Sequence, residues 1–164
     1  MKELDFNSNG YLSPYHPIDS NTDSLEHYFV ANFPNSRTRK KLFQNYQQYT
    51  SRFSQEIYPY FEQWIDGSFV SLKENPNDID IVTFLDYKIF NLRAYKLDDF
   101  LSFSLESEGI DAYIVPIYPE NHPFYSKGRQ LKTQWLDRFS STKADIFDNI
   151  HPKGFLSINF SGEQ

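Results

Sequence analysis

Not one cysteine occurs in the 164 residues. This excludes disulfides, thiolate zinc sites and thiol nucleophiles together. Long apolar runs are missing too: nothing approaches the roughly 20 residues that a membrane helix needs, and no apolar stretch follows Met1 as a secretion signal requires. The expected home is the cytoplasm, with no membrane partner. Positive charge is scarce, with 16 Lys and Arg against 22 Asp and Glu and a formal net charge of −6. Binding duplex phosphates requires clustered cations, so long duplex nucleic acid is not an expected partner. Repeats and low-complexity tracts are absent. The length suits a single domain over residues 1–164, with nothing to spare for a separate recognition domain. Aromatic residues are abundant at 18%, with 16 Phe and 12 Tyr, so the core is expected to be built from rings.

Residues 1–23 are rich in Asn, Ser, Asp and Pro and read as an extended arm, pinned by Tyr11, Leu12, Tyr15 and Ile18. Ser24–Phe33 is expected as a short helix capped by Asp23 or Ser24, and Pro34 breaks it. From Arg37, the positions Leu42, Phe43, Tyr46, Tyr49, Phe53 and Ile57 recur at helical spacing until Pro59 stops the pattern. Strands are expected at Tyr60–Asp66, Ile79–Leu85, Asp111–Tyr118 and Phe155–Phe160. Helices are expected at Leu97–Ser107, ended by Gly109, and at Gln130–Phe139, after a loop over Pro119–Gly128. The sum is an α+β (α/β) chain with a mixed sheet flanked by helices.

The most informative segment runs from Trp64 to Leu85. It holds Gly67-Ser68, nine intervening residues and then Asp78-Ile79-Asp80. In a strand, side chains alternate, so Asp78 and Asp80 share one face while Ile79 and Ile81 point inward. Two carboxylates that close repel each other unless a cation neutralises them. A hard ion such as Mg²⁺ suits this, because it is held by one or two carboxylates together with substrate phosphates. Gly67 gives a flexible backbone and Ser68 a hydroxyl, both able to approach a phosphate chain.

This segment resembles the nucleotidyltransferase superfamily typified by DNA polymerase beta, whose pattern is Gly-Gly or Gly-Ser, about ten residues and then Asp-hydrophobic-Asp/Glu. The wider layout is similar to a small bacterial family of stand-alone nucleotidyltransferase-like proteins, through Asn9–Pro17, Ser36–Arg39, the Gly-Ser and Asp-Ile-Asp core and Lys153-Gly154-Phe155. The resemblance implies a minimal nucleotidyltransferase fold and a third acid on a later strand, for which Asp111 is the match. It also implies Asp78, Asp80 and Asp111 as metal ligands and catalytic residues for Mg²⁺ or Mn²⁺, with Asp111 nearest a general-base role. Gly67, Ser68 and Lys73 become the nucleotide-binding residues, an NTP, ATP in the first instance, becomes the donor, and a protein side chain or RNA end becomes the acceptor. Relatives of this kind work in toxin–antitoxin or phage-defence settings. The same resemblance allows a non-catalytic module that binds a nucleotide or a partner protein, as an antitoxin or regulatory subunit does.

Plainer readings exist for each residue. Asp78 caps the Asn75-Pro76-Asn77 turn, Asp80 is a solvated face residue and Asp111 a turn acid after Gly109. Lys73 either meets a phosphate or is solvated. Arg37, Arg39, Lys40 and Lys41 form one basic cluster at a helix N-terminus, opposed to the macrodipole, and are either a site for an acidic or phosphate partner or a solvated face. His16, His27, His122 and His151 are too scattered for a metal site. Tyr118, His122 and Trp135 are candidate walls for a nucleobase.

Overall fold

A computed structural model describes residues 3–101 and 108–162. The N-terminal arm is folded into three short strands rather than simply extended. β1 (Asp5–Phe6) and β2 (Leu12–Ser13) pair antiparallel, and β3 (Pro17–Ser20) joins the main sheet. Leu12 and Ile18 are buried, whereas Tyr15 stays exposed. Asn21, not Asp23 or Ser24, caps α1 (Thr22–Glu26) by accepting from the Ser24 amide at 2.8 Å. The following turn, His27–Ala31, widens into π-helical geometry. α2 (Arg39–Glu56) buries Leu42, Phe43, Tyr46, Tyr49 and Phe53 along the stripe that their spacing dictates.

β4 (Tyr60–Asp66), β5 (Ile79–Asp86) and β6 (Ile110–Ile117) fall where the alternating apolar pattern puts them, to within a residue. Between the last two, the structure differs from expectation. Asp86 caps α3 (Tyr87–Leu97) by accepting from the Lys88 amide at 2.8 Å, so the helix precedes the Leu97–Ser107 segment in which one was expected. A single 3-10 turn, Asp98–Phe100, follows, and residues 102–107 of the expected helix lie outside the described residues. α4 (Tyr125–Phe139) starts inside the expected loop. Gly128, a turn signal by itself, lies within this helix, and glycine stands there because a Cβ would come 2.9 Å from the Tyr118 ring. β7 (Phe155–Ser161) closes the chain.

The five-stranded sheet has the order β3-β7-β4-β5-β6. β4 is antiparallel to both its neighbours, while β3 with β7 and β5 with β6 are parallel, which makes the sheet mixed and open. One face, with Phe61, Ile65, Ile79, Ile81 and Ala112, packs on α2. The other, with Trp64, Val82, Phe84, Val115 and Phe155, packs under α4 through Phe139, Trp135 and Leu131. This is an α+β protein with an open sheet flanked by helices. Lys132 ties α4 down by reaching Glu62 at 2.7 Å, a carboxylate that also accepts from Trp64 Nε1 at 2.7 Å and Ser157 Oγ at 3.1 Å. Among the described residues no helix is long and apolar enough to cross a membrane.

Candidate active site

Strand register brings three carboxylates into one row. Asp66 lies opposite Asp80 on β4 and β5, and Asp80 lies opposite Asp111 on β5 and β6. Neighbouring strands are about 4.8 Å apart, so the row is tight, and alternation puts all three on the α4 face, beyond the end of that helix. Asp78, two residues before Asp80, shares the face at the mouth of β5 and is exposed. Asp78, Asp80, Asp111, Gly67, Ser68 and Lys73 all line one cleft of about 610 Å³, so all six sequence candidates are gathered in one place.

Gly67 links β4 to a 3-10 turn, Ser68–Val70, with φ 84°. That conformation is left-handed, and a Cβ there would overlap Asp80 Oδ2. Only glycine lets the turn lie against the carboxylate. The rest of the loop hangs from Arg39, which is fully buried. Its guanidinium donates to the carbonyls of Phe29 at 2.9 Å, Phe69 at 2.6 Å, Ser71 at 2.7 Å and Lys73 at 2.5 Å, under the Phe33 ring at 3.9 Å. Burial pulls its pKa down to about 10, with Glu74 opposing. Arg39 is therefore neither solvated nor a surface anion site. Its terminal donors tie that loop to the turn at Phe29, while Arg37, Lys40 and Lys41 remain exposed. Asn75 adds a second tie, its Oδ1 accepting from the Arg37 amide at 2.7 Å.

Asp80 is the electrostatic centre. Burial, then Asp66, Asp78 and Asp111, push its pKa up to about 7, and only Lys153 pulls the other way. Asp66 is 4% exposed. Burial raises its pKa against the pull of Lys153, whose Nζ binds Asp66 Oδ2 in a short buried ion pair. Asp66 Oδ1 has no hydrogen-bond partner of normal geometry among the described residues. Sequence reasoning missed both members of this pair, as well as Arg138 and Lys143, which line the far wall of the cleft. The signal for Asp66 was present: in β4 it alternates with Glu62 and Trp64, on the face opposite Ile65. Lys153 stands in the Lys153-Gly154-Phe155 segment that shares in the resemblance, but nothing local points from it to Asp66, 87 residues away.

As the side chains stand, no three Asp, Glu, His or Cys residues among those described are drawn together closely enough to hold a metal ion. What suits a hard divalent ion is the donor chemistry. The donors are all carboxylate oxygens, Asp80 is driven toward protonation by burial and then by its acidic neighbours, and one oxygen of Asp66 is buried without a hydrogen-bond partner of normal geometry. Tyr118 and His122 do not wall this cleft. Their rings lie 4.7 Å apart, tilted by 32°, beyond the far end of β6, about 20 Å along the strand from Asp111. Trp135 packs on Tyr113 and Phe139 in the second core cluster. His151 lies near Tyr11, its ring centroid 6.4 Å away.

Fold and cleft together define an α+β protein with a row of acids across three strands, a glycine turn fitted against the middle one and lysines around them. The chain belongs to a family of unknown function (DUF6932), which it matches over residues 4–159. No curated protein and no solved structure matches it.

Proposed function

We propose that the chain is a metal-dependent nucleotidyltransferase that moves an NMP group from an NTP to an acceptor hydroxyl on a protein side chain or RNA end. The observation that carries this reading is Asp80. It is a carboxylate flanked in register by acids on both neighbouring strands, and the Gly67 turn fits against it. Such a concentration of negative charge destabilises the protein unless it serves a cationic ligand. Asp78, Asp80 and Asp111 would hold Mg²⁺ or Mn²⁺, which when bound screens the triphosphate and stabilises charge on the attacking and leaving oxygens.

Ser68 and the amides of its turn orient the β- and γ-phosphates, and Lys73 meets them as a mobile charge from the rim. The acceptor oxygen forms its bond to the α-phosphorus in line with the bridging oxygen to the β-phosphorus. That second bond breaks, pyrophosphate leaves with its electron pair, and the acceptor's proton passes to the Asp111 carboxylate. Arg39 does not touch substrate. It holds the loop that does.

A second reading rests on a different observation: Lys153 already places a positive charge beside the acids, and no trio of them is gathered for a metal. A non-catalytic module that binds a nucleotide or a partner protein would need nothing more. Incubation with each labelled NTP, Mg²⁺ or Mn²⁺ and a lysate of the host separates the two. The enzyme reading expects a labelled acceptor, lost in D80A. Absence of label with all four NTPs, alongside capture of a partner by the wild type, overturns it.

A further inference from the structure

We propose that Asp66 is a fourth cation-facing carboxylate of the cleft, with Lys153 as the positioning residue that locks it there. The inference rests on the cation-binding part of the reading above and extends it to a pair of residues lying outside the Gly-Ser and Asp-Ile-Asp motif. Three observations carry it. Asp66 stands in cross-strand register with Asp80, at the end of the same row as Asp111. It lines the cleft while being 4% exposed. Of its two oxygens, Oδ2 is taken by Lys153 and Oδ1 is buried with no hydrogen-bond partner of normal geometry among the described residues, the Gly67 amide being the backbone donor nearest this carboxylate.

A carboxylate oxygen buried beside another carboxylate is costly unless something electropositive meets it. Lys153 is itself fixed on both sides. Its amide donates to Ser140 O at 2.9 Å at the end of α4, and the next amide, of Gly154, donates to Leu12 O at 2.7 Å. A Cβ at Gly154 would collide with the carbonyl of Pro14, so the backbone is wedged between the N-terminal arm and the sheet. The ammonium therefore reaches Asp66 from a rigid base, and by occupying Oδ2 it holds the carboxylate in one orientation. Second-layer partners of metal-binding carboxylates act in this way, fixing the orientation of the oxygen that binds.

The test is Mn²⁺ binding by the intact chain, read from the electron paramagnetic resonance of free Mn²⁺ and independent of any catalysis. Asp66→Asn alone leaves the Lys153 ammonium buried without its partner and risks unfolding. The D66N/K153Q double variant removes one charge of each sign, keeps two polar groups that can still hydrogen-bond and leaves the net charge unchanged, so it changes the local contact and not the long-range field. The expected result is a cooperative melt close to wild type, with Mn²⁺ affinity about tenfold lower or less. Wild-type affinity in the double variant overturns the inference and leaves Asp66 a structural partner of Lys153, with the proposed function untouched. The E62Q/K132Q variant neutralises another ion pair on the same face, outside the cleft. An equal loss there assigns the effect to loosening of the fold and likewise overturns the inference. Wild type that binds no Mn²⁺ overturns this inference and the cation-dependent function together.

Discussion

Replacing Asp80 by Asn should stabilise the protein, and by an amount that grows with pH. The folded state holds the Asp80 carboxyl at about 7 against an ordinary 3.8, because burial and then Asp66, Asp78 and Asp111 disfavour its charge. At 1.36 kcal/mol for each tenfold change in proton affinity, ionised Asp80 costs the folded state at most about 4 kcal/mol. The sign follows from proton counting. Below 3.8 both states are protonated and nothing is lost. Between 3.8 and 7 the folded state keeps a proton that the unfolded chain has released, so stability falls as pH rises, and above 7 the loss is complete. Asparagine does not titrate. By this linkage, wild type loses roughly 2 kcal/mol by pH 5 and roughly 4 kcal/mol by pH 8, so the advantage of D80N over wild type should widen by roughly 2–3 kcal/mol between the two. Because this is a difference of differences, it cancels whatever constant effect the amide has on packing. Urea unfolding followed by the fluorescence of Trp64 and Trp135 at both pH values measures it. An advantage that is the same at pH 5 and pH 8 refutes the argument, since Asp80 would then be ionised in the fold without cost.

Arg39→Met should cost about 3 kcal/mol, because three loop carbonyls and that of Phe29 lose their donor, and should strip hydrogen-exchange protection from residues 68–73 before the sheet opens. Gly67→Ala should lower stability by about 1–3 kcal/mol, since the left-handed turn and the Asp80 carboxylate both exclude a methyl; an unchanged melt contradicts this. In the labelling assay, Asp78→Ala, Asp80→Ala and Asp111→Ala should each abolish transfer. Ser68→Ala should only weaken it, and Lys73→Ala should raise KM more than it lowers kcat. Transfer that survives Asp111→Ala removes that residue from the base role. Millimolar Mn²⁺ with NTP should raise the wild-type Tm and leave that of D80N nearly unmoved.

The amino-acid order by itself determined what depends on neighbours a few residues apart. The apolar stripe of α2, the alternation in β4, β5, β6 and β7, the Gly67-Ser68 turn and the shared face of Asp78 and Asp80 all follow from helical or strand periods acting within one segment. Elements set by a cap or by close packing were harder to read. α3 depends on the Asp86 cap, and α4 runs through Gly128 because Tyr118 presses against it, a contact that no local pattern encodes. The site divides in the same way. Its acids were legible where spacing placed them, and Asp111 was found through a resemblance. Asp66 and Lys153 meet across 87 residues only when β7 is laid beside β4. Arg39, one of four basic residues at the start of a helix, is sorted from the other three only by tertiary packing, which sends its guanidinium inward to the carbonyls of a loop about thirty residues away. Local sequence fixes which face a side chain takes, but whether that face meets water, a carbonyl or a carboxylate depends on which segments the sheet brings together.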